Sequence, residues 1–102
     1  MQYQLVLQFP LAEDFDFDAL IELETKLTFE LGSEHEVDGH DIGSGEINIF
    51  IHTNNPENAF EKTTHLLSKK LYSALKAAYR DIDSYEYTWI YPADCTEEFK
   101  VV

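Results

Sequence analysis

The chain of 102 residues is short of cysteine, of basic residues and of long apolar runs. Its single cysteine, Cys95, cannot form an internal disulfide, which favours a reducing and therefore cytoplasmic setting. No run approaches the roughly 20 apolar residues of a membrane-spanning helix, and residues 1–10 contain no basic residue of the kind that opens a secretory signal. We therefore expect a cytoplasmic protein without a membrane partner, folded as a single domain over residues 1–102.

Basic residues are scarce and unevenly placed. Seven Lys and Arg stand against twenty Asp and Glu, a formal net charge of −13, whereas small soluble domains commonly carry a magnitude of about 2–8. Residues 1–57 hold thirteen of the acids and one base, Lys26, while residues 58–102 are close to balanced. This balance excludes nucleic acid as a partner, because phosphate contacts need the opposite sign. It allows a basic protein, so one alternative is an acidic inhibitor or immunity-type protein.

The first third of the chain predicts a strand followed by a helix. Tyr3 to Phe9 alternates apolar and polar residues, which is typical of a half-buried strand, and Pro10 ends it. Carboxylates between Asp14 and Asp18 are well placed to cap a helix. Gly32 is the expected stop of that helix. Its predicted buried stripe is Leu20, Leu23, Leu27 and Leu31.

The rest of the chain predicts a hairpin, a long helix and a final strand. Glu34 to Ile42 and Glu46 to Thr53 are the two hairpin strands, with glycines in the turn between them. A second helix is predicted from Asn55 and Pro56 to about Arg80. The alternation from Tyr85 to Tyr91 predicts a fourth strand. Its aromatic row, Tyr85, Tyr87, Trp89 and Tyr91, is predicted to face the core.

The resulting order β-α-β-β-α-β resembles the ferredoxin-like α+β sandwich over nearly the whole chain. The resemblance implies a four-stranded antiparallel sheet in the order 4-1-3-2, with two helices on one face and the other face open. The run Asp-Gly-His-Asp-Ile-Gly-Ser-Gly-Glu-Ile-Asn-Ile-Phe-Ile at residues 38–51, followed by Asn-Asn-Pro, also resembles small bacterial proteins without an established activity. No functional residue is carried over from either resemblance.

The hairpin register decides which side chains reach the open face. A two-residue loop of Gly43 and Ser44 would bury ionisable groups, including Asp38 and His40, among isoleucines, which is costly. A three-residue loop, Gly43 to Gly45, avoids this and supplies a left-handed residue at its last position. In that register Ile42 pairs with Glu46, and Gly39 faces inward or marks a bulge.

The open face is the predicted binding surface. An apolar centre with a polar rim is the layout of a contact surface, so the first hypothesis is a non-catalytic binding or self-associating module with a protein partner and no cofactor. The predicted apolar centre is Val6, Phe50 and Ile90. The predicted rim is Glu36, Asp38, His40, Glu46, Asn48 and His52.

Two chemical hypotheses use the same face. Imidazole and carboxylate suit Zn²⁺ or Mn²⁺, and the candidate metal ligands are His40, His52 and Asp38, although their spacing matches no known ligand motif. An enzyme could instead use His40 with Asp38 and Glu46 for acid–base chemistry. The sequence shows no nucleophile accompanied by a base and an orienting group.

Overall fold

The computed structural model describes residues 1–13 and 16–101 and shows an α+β architecture of three helices and one five-stranded antiparallel sheet. None of the described helices is long and apolar enough to cross a membrane. The sheet order is β2-β3-β1-β4-β5. The strands are β1 (Tyr3–Pro10), β2 (His35–Gly43), β3 (Glu46–Thr53), β4 (Lys76–Asp81) and β5 (Thr88–Tyr91), and the helices are α1 (Phe17–Leu31), α2 (Pro56–Thr64) and α3 (Lys69–Ala74).

Helix α1 forms where its sequence predicts it. The Asp16 carboxylate caps the first turn by accepting a hydrogen bond from the Asp18 backbone N–H at 2.9 Å. Gly32 ends the helix with a φ of +64°, a conformation that glycine adopts without steric penalty. The leucine stripe packs inward on the sheet. The predicted cap at Asp14 lies outside the described residues.

The prediction of one long second helix is correct at its start and wrong beyond it. Helix α2 begins as predicted, with the Asn55 side chain accepting from the Asn58 N–H, but it ends at Thr64. The Ser68 hydroxyl then caps a separate short helix, α3, by accepting from the Leu71 N–H. The next segment is strand β4, so the helix-period pattern from residue 55 to 80 joins three different elements.

The sequence of β4 favours a helix, but tertiary contacts hold it in a strand. Ala77 and Ala78 lie opposite Leu7 and Val6 of β1 and are fully buried. Both faces of the sheet are covered there, and small side chains fit beneath the two layers. Tertiary packing overrides local preference in such a position.

The predicted fourth strand is therefore the fifth. Only Thr88–Tyr91 is a strand, and it pairs with β4 rather than with β1. Its register shifts opposite Ala77 and Ala78, so its aromatic side chains divide between the two faces. Tyr91 packs with Phe60 and Tyr72 under the helices, whereas Trp89 lies on the other face and Tyr85 is 92% exposed. A single core-facing aromatic row was the wrong prediction.

The hairpin turn uses two residues, Ser44 and Gly45, instead of the predicted three. Both have positive φ, +51° and +78°, which is the geometry of the tight turns that match strand twist. Gly43 consequently pairs with Glu46 and Ile42 with Ile47.

Between Val37 and Gly39 the register of β2 against β3 then shifts by one residue. Beyond it, Val37 lies opposite Ile51 and Glu36 opposite His52, as predicted. Between the shift and the turn, however, the side chains of β2 lie on the faces opposite to those predicted. His40 therefore lies beside Ile49, on the face that the helices cover.

The helices cover one face of the sheet, and we call the opposite face the second face. The prediction that the second face is open is wrong over β1 and β4, where it is covered. Phe99, from the segment after β5, packs on Val6 and Ala78 and is only 5% exposed. Two hydrogen bonds hold this segment. The Trp89 indole N–H donates to the Glu97 carbonyl at 2.6 Å, and the Gln8 side-chain amide donates to the Lys100 carbonyl at 2.8 Å.

Candidate binding surface

Two of the three residues of the predicted apolar centre, Val6 and Ile90, do not form a surface on the second face. Val6 and Asn48 are fully buried on the covered second face. The Asn48 side-chain oxygen accepts from the Gln8 amide at 2.9 Å, and its Nδ2 is the one buried side-chain polar atom without a partner among the described residues. Ile90 packs instead against the cluster under the helices. Of the predicted centre, only Phe50 is partly exposed on the second face.

His40 lies apart from the carboxylates predicted to work with it. Its Nδ1 lies 2.5 Å from a carboxylate oxygen of Glu24 on α1, and its ring packs edge-on against Phe17 at 5.6 Å. About a quarter of the side chain is exposed. The contact ties β2 to α1 on the helix-covered face, a role that explains why an imidazole is tolerated beside Ile49.

The second face of β2 brings together the other predicted residues. His52 Nε2 lies 3.8 Å from an Asp38 carboxylate oxygen, and Glu36 is directly opposite His52 in the strand register. Glu46 is half-buried beside the turn. Because His40 lies on the other face, the proposed ligands His40, His52 and Asp38 do not converge. The described residues contain no group of three or more His, Cys, Asp or Glu able to hold a metal ion.

A third histidine, His35, was missed by the sequence reasoning. It is 4% exposed, and its ring connects β2, β3 and α2 through hydrogen bonds to Thr53 and Asn58 at 2.6 and 2.9 Å. The Thr53 hydroxyl oxygen also accepts the Asn55 N–H, so its own proton can be donated to His35 Nδ1 while Nε2–H donates to the Asn58 oxygen. This fully bonded ring is structural, and no sequence motif marks it.

The fold converts the charge asymmetry of the sequence into two different sides of the molecule. Residues before α2 build β1, α1, β2 and β3, with β2 and β3 on one side of β1 and α1 packed over β2. The later residues build β4 and β5 on the other side. Lys26, the lone base of residues 1–57, is already paired with Glu22 at 3.2 Å. The half of the sheet that contains β2 and β3, with α1 over it, is therefore more acidic than the half that contains β4 and β5. Lys62 of α2 also lies 3.7 Å from Glu34, so one base from the later residues lies beside the acidic half.

Strand β2 is the outermost strand of the acidic side, and its two faces differ in chemistry. Toward the second face it presents three exposed carboxylates, Glu36, Asp38 and Asp41. Toward the helix face it presents Val37, His40 and Ile42. We call this strand, with both sets of side chains, the β2 edge.

Comparison with known proteins gives no template for this surface. No family model matches the chain, and no curated protein or solved structure is detectably similar to it. The β2 edge itself presents three carboxylates on one side of an outer strand and Val37, His40 and Ile42 on the other.

An apolar cleft of about 280 Å³ lies at the end of the sheet, between α1 and α3. Its walls include Phe9, Leu20, Ile47 and Leu71. Its described charged lining residues are one carboxylate, Asp16, and one amine, Lys70. The cleft thus offers mainly apolar contact, and its wall residue Ile47 is the strand neighbour of Ile42 in β2.

Proposed function

We propose that this chain is a non-catalytic binding module whose partner is a basic protein, engaged through the acidic side of the sheet. The observation that supports this most directly is the sorting of charge by the fold. The exposed acids of β2 lie in the half of the sheet built from residues 1–55, which contain twelve of the twenty Asp and Glu but only one of the seven Lys and Arg. For the sheet as a whole, the finer ferredoxin-like description fits the order β2-β3-β1-β4, with β5 added at the edge far from β2.

Electrostatics supports a basic partner over a second copy of the chain. Complementary potentials raise association rates and favour the correct partner, whereas like charges brought together oppose binding. Each exposed ion pair adds only about 0.2–1 kcal/mol, so affinity would come from several carboxylates acting together. Self-association through this side would place acidic residues against their own copies.

Selection from a phage-displayed library of random peptides tests the proposal and requires no identified partner. We expect the enriched peptides to carry excess Lys and Arg. Their binding should weaken as salt rises from about 0.1 M to about 1 M, because the screening length falls from about 10 Å to about 3 Å.

Two triple variants with equal net charge localise the surface. Glu36→Gln, Asp38→Asn and Asp41→Asn together should reduce binding of the enriched peptides about tenfold or more. The control, Glu86→Gln, Asp94→Asn and Glu98→Gln, alters exposed acids that lie outside β2 and should change binding little. Enrichment of uncharged peptides, or equal loss in both variants, would contradict the proposal.

A further inference from the structure

We infer that the partner supplies an extended strand that pairs with the outer edge of β2, with basic side chains on one of its faces and apolar side chains on the other. This inference rests on the proposed function and specifies its binding mode. Among the described residues, β2 pairs only with β3. Its nine residues leave the backbone N–H and C=O groups of its outer edge available to a further strand.

The register shift at Asp38 sorts the side chains of this edge by chemistry. In an uninterrupted strand, Asp38 and His40 would share a face, because side chains alternate with period two. The shift instead leaves Asp38 beside His52 on the second face and turns His40 toward Glu24 of α1. All three exposed carboxylates of β2 thereby lie on one side of the edge.

The helix side of the edge offers apolar contact. Ile42 is 36% exposed, and Ile21, on α1, is 42% exposed. Phe17 lies one helical turn before Ile21 and contacts the His40 ring. A strand added to β2 would project alternate side chains toward these groups and toward the carboxylates, so its sequence should alternate apolar and basic residues.

The same features disfavour a copy of β2 as the added strand. Antiparallel pairing of two β2 strands would bring Glu36, Asp38 and Asp41 close to the same residues of the second chain, and like charges facing each other across strands are destabilising. Charged edges and bulges are known protections against unwanted strand pairing. Here the protection is selective, because the carboxylates of β2 repel a second β2 strand but attract a basic strand.

Three peptides built from the same number of Lys and Val residues test the inference on the unaltered protein. The first is a nine-residue peptide alternating Lys and Val, matched to the length of β2. The second has the same residues in a Lys block followed by a Val block. The third is the alternating peptide with N-methyl groups on every second amide, which blocks hydrogen bonding along one edge. Titration calorimetry measures the affinity of each.

We expect the alternating peptide to bind at least about tenfold more tightly than either control. N-methylation removes backbone hydrogen bonds, of which one or two account for a change of about tenfold. The block order keeps those bonds but cannot place Lys toward the carboxylates and Val toward the helix side along the whole strand. Amide hydrogen exchange should show new protection confined to β2. The variant Ile42→Ser should weaken the alternating peptide and leave the block peptide unchanged.

Equal binding of all three peptides would overturn strand pairing and leave the basic-partner proposal standing. No binding by any of them would count against both. Light scattering that shows a dimer, with β2 amides already protected in the absence of peptide, would also overturn the inference, because the edge would then be occupied by a second copy.

Discussion

Replacing Phe99 by alanine tests whether residues 97–101 are an integral layer of the fold. The ring is 5% exposed and packs at 5.0 Å from Tyr87 and 5.1 Å from Trp89, measured between ring centroids. An aromatic side chain buries about 150–250 Å², worth about 4–6 kcal/mol at about 25 cal/mol per Å². Alanine keeps part of that contact and unfolded chains are partly compact, so Phe99→Ala should destabilise the protein by about 3 kcal/mol.

Urea unfolding followed by Trp89 fluorescence measures this loss. With an m-value of about 2 kcal/mol/M, the midpoint should fall by about 1.5 M. Phe29→Ala is the matched control, because Phe29 is 89% exposed and an exposed substitution should change stability by less than about 0.5 kcal/mol. Equal midpoints for Phe99→Ala and the unaltered protein would refute the packing of this segment on the sheet. An equally large loss of stability in Phe99→Ala and Phe29→Ala would refute the difference in burial between Phe99 and Phe29.

Two further predictions concern local geometry. His35→Ala should lower the free energy of unfolding by about 3 kcal/mol, because it leaves a cavity and removes hydrogen bonds to Thr53 and Asn58. Thermal unfolding measures this loss. The control is His65→Ala, at an exposed position, which should change the free energy of unfolding by less than about 0.5 kcal/mol. Ser44→Asn should stabilise the hairpin by about 0.5 kcal/mol, because asparagine tolerates the positive φ of this turn position better than serine. A lower urea midpoint for Ser44→Asn would show that the turn has a different geometry.

Local patterns predicted the elements whose signals lie close together in the chain. The Asp16 cap, the leucine stripe and Gly32 together define α1, and Asn55 with Pro56 defines the start of α2. Strand β1 was correctly placed but predicted to be half-buried. Leu5, Val6 and Leu7 are all fully buried, because layers cover both faces of the sheet.

The errors arose where distant contacts decide the structure. Nothing local in Lys76–Asp81 distinguishes a strand from the end of a helix, since the pairing that makes it a strand is with β1, near the start of the chain. The hairpin register was argued from the cost of placing His40 under the helices, and that cost is offset by Glu24, which lies sixteen residues earlier. The covering of the second face depends on Phe99, whose partners include Val6.

The hydrogen bond from Gln8 to Lys100 has a consequence for how the protein is made. It joins residues 92 positions apart, and Gln8 lies on β1, the central strand of the sheet. Pairings between such distant residues require a large loop to close before any contact is gained, and they slow folding. During synthesis, Val6 and Ala78 therefore stay exposed until the region around residue 100 has left the ribosome. Until then, the growing chain carries an uncovered apolar sheet face on which it can aggregate.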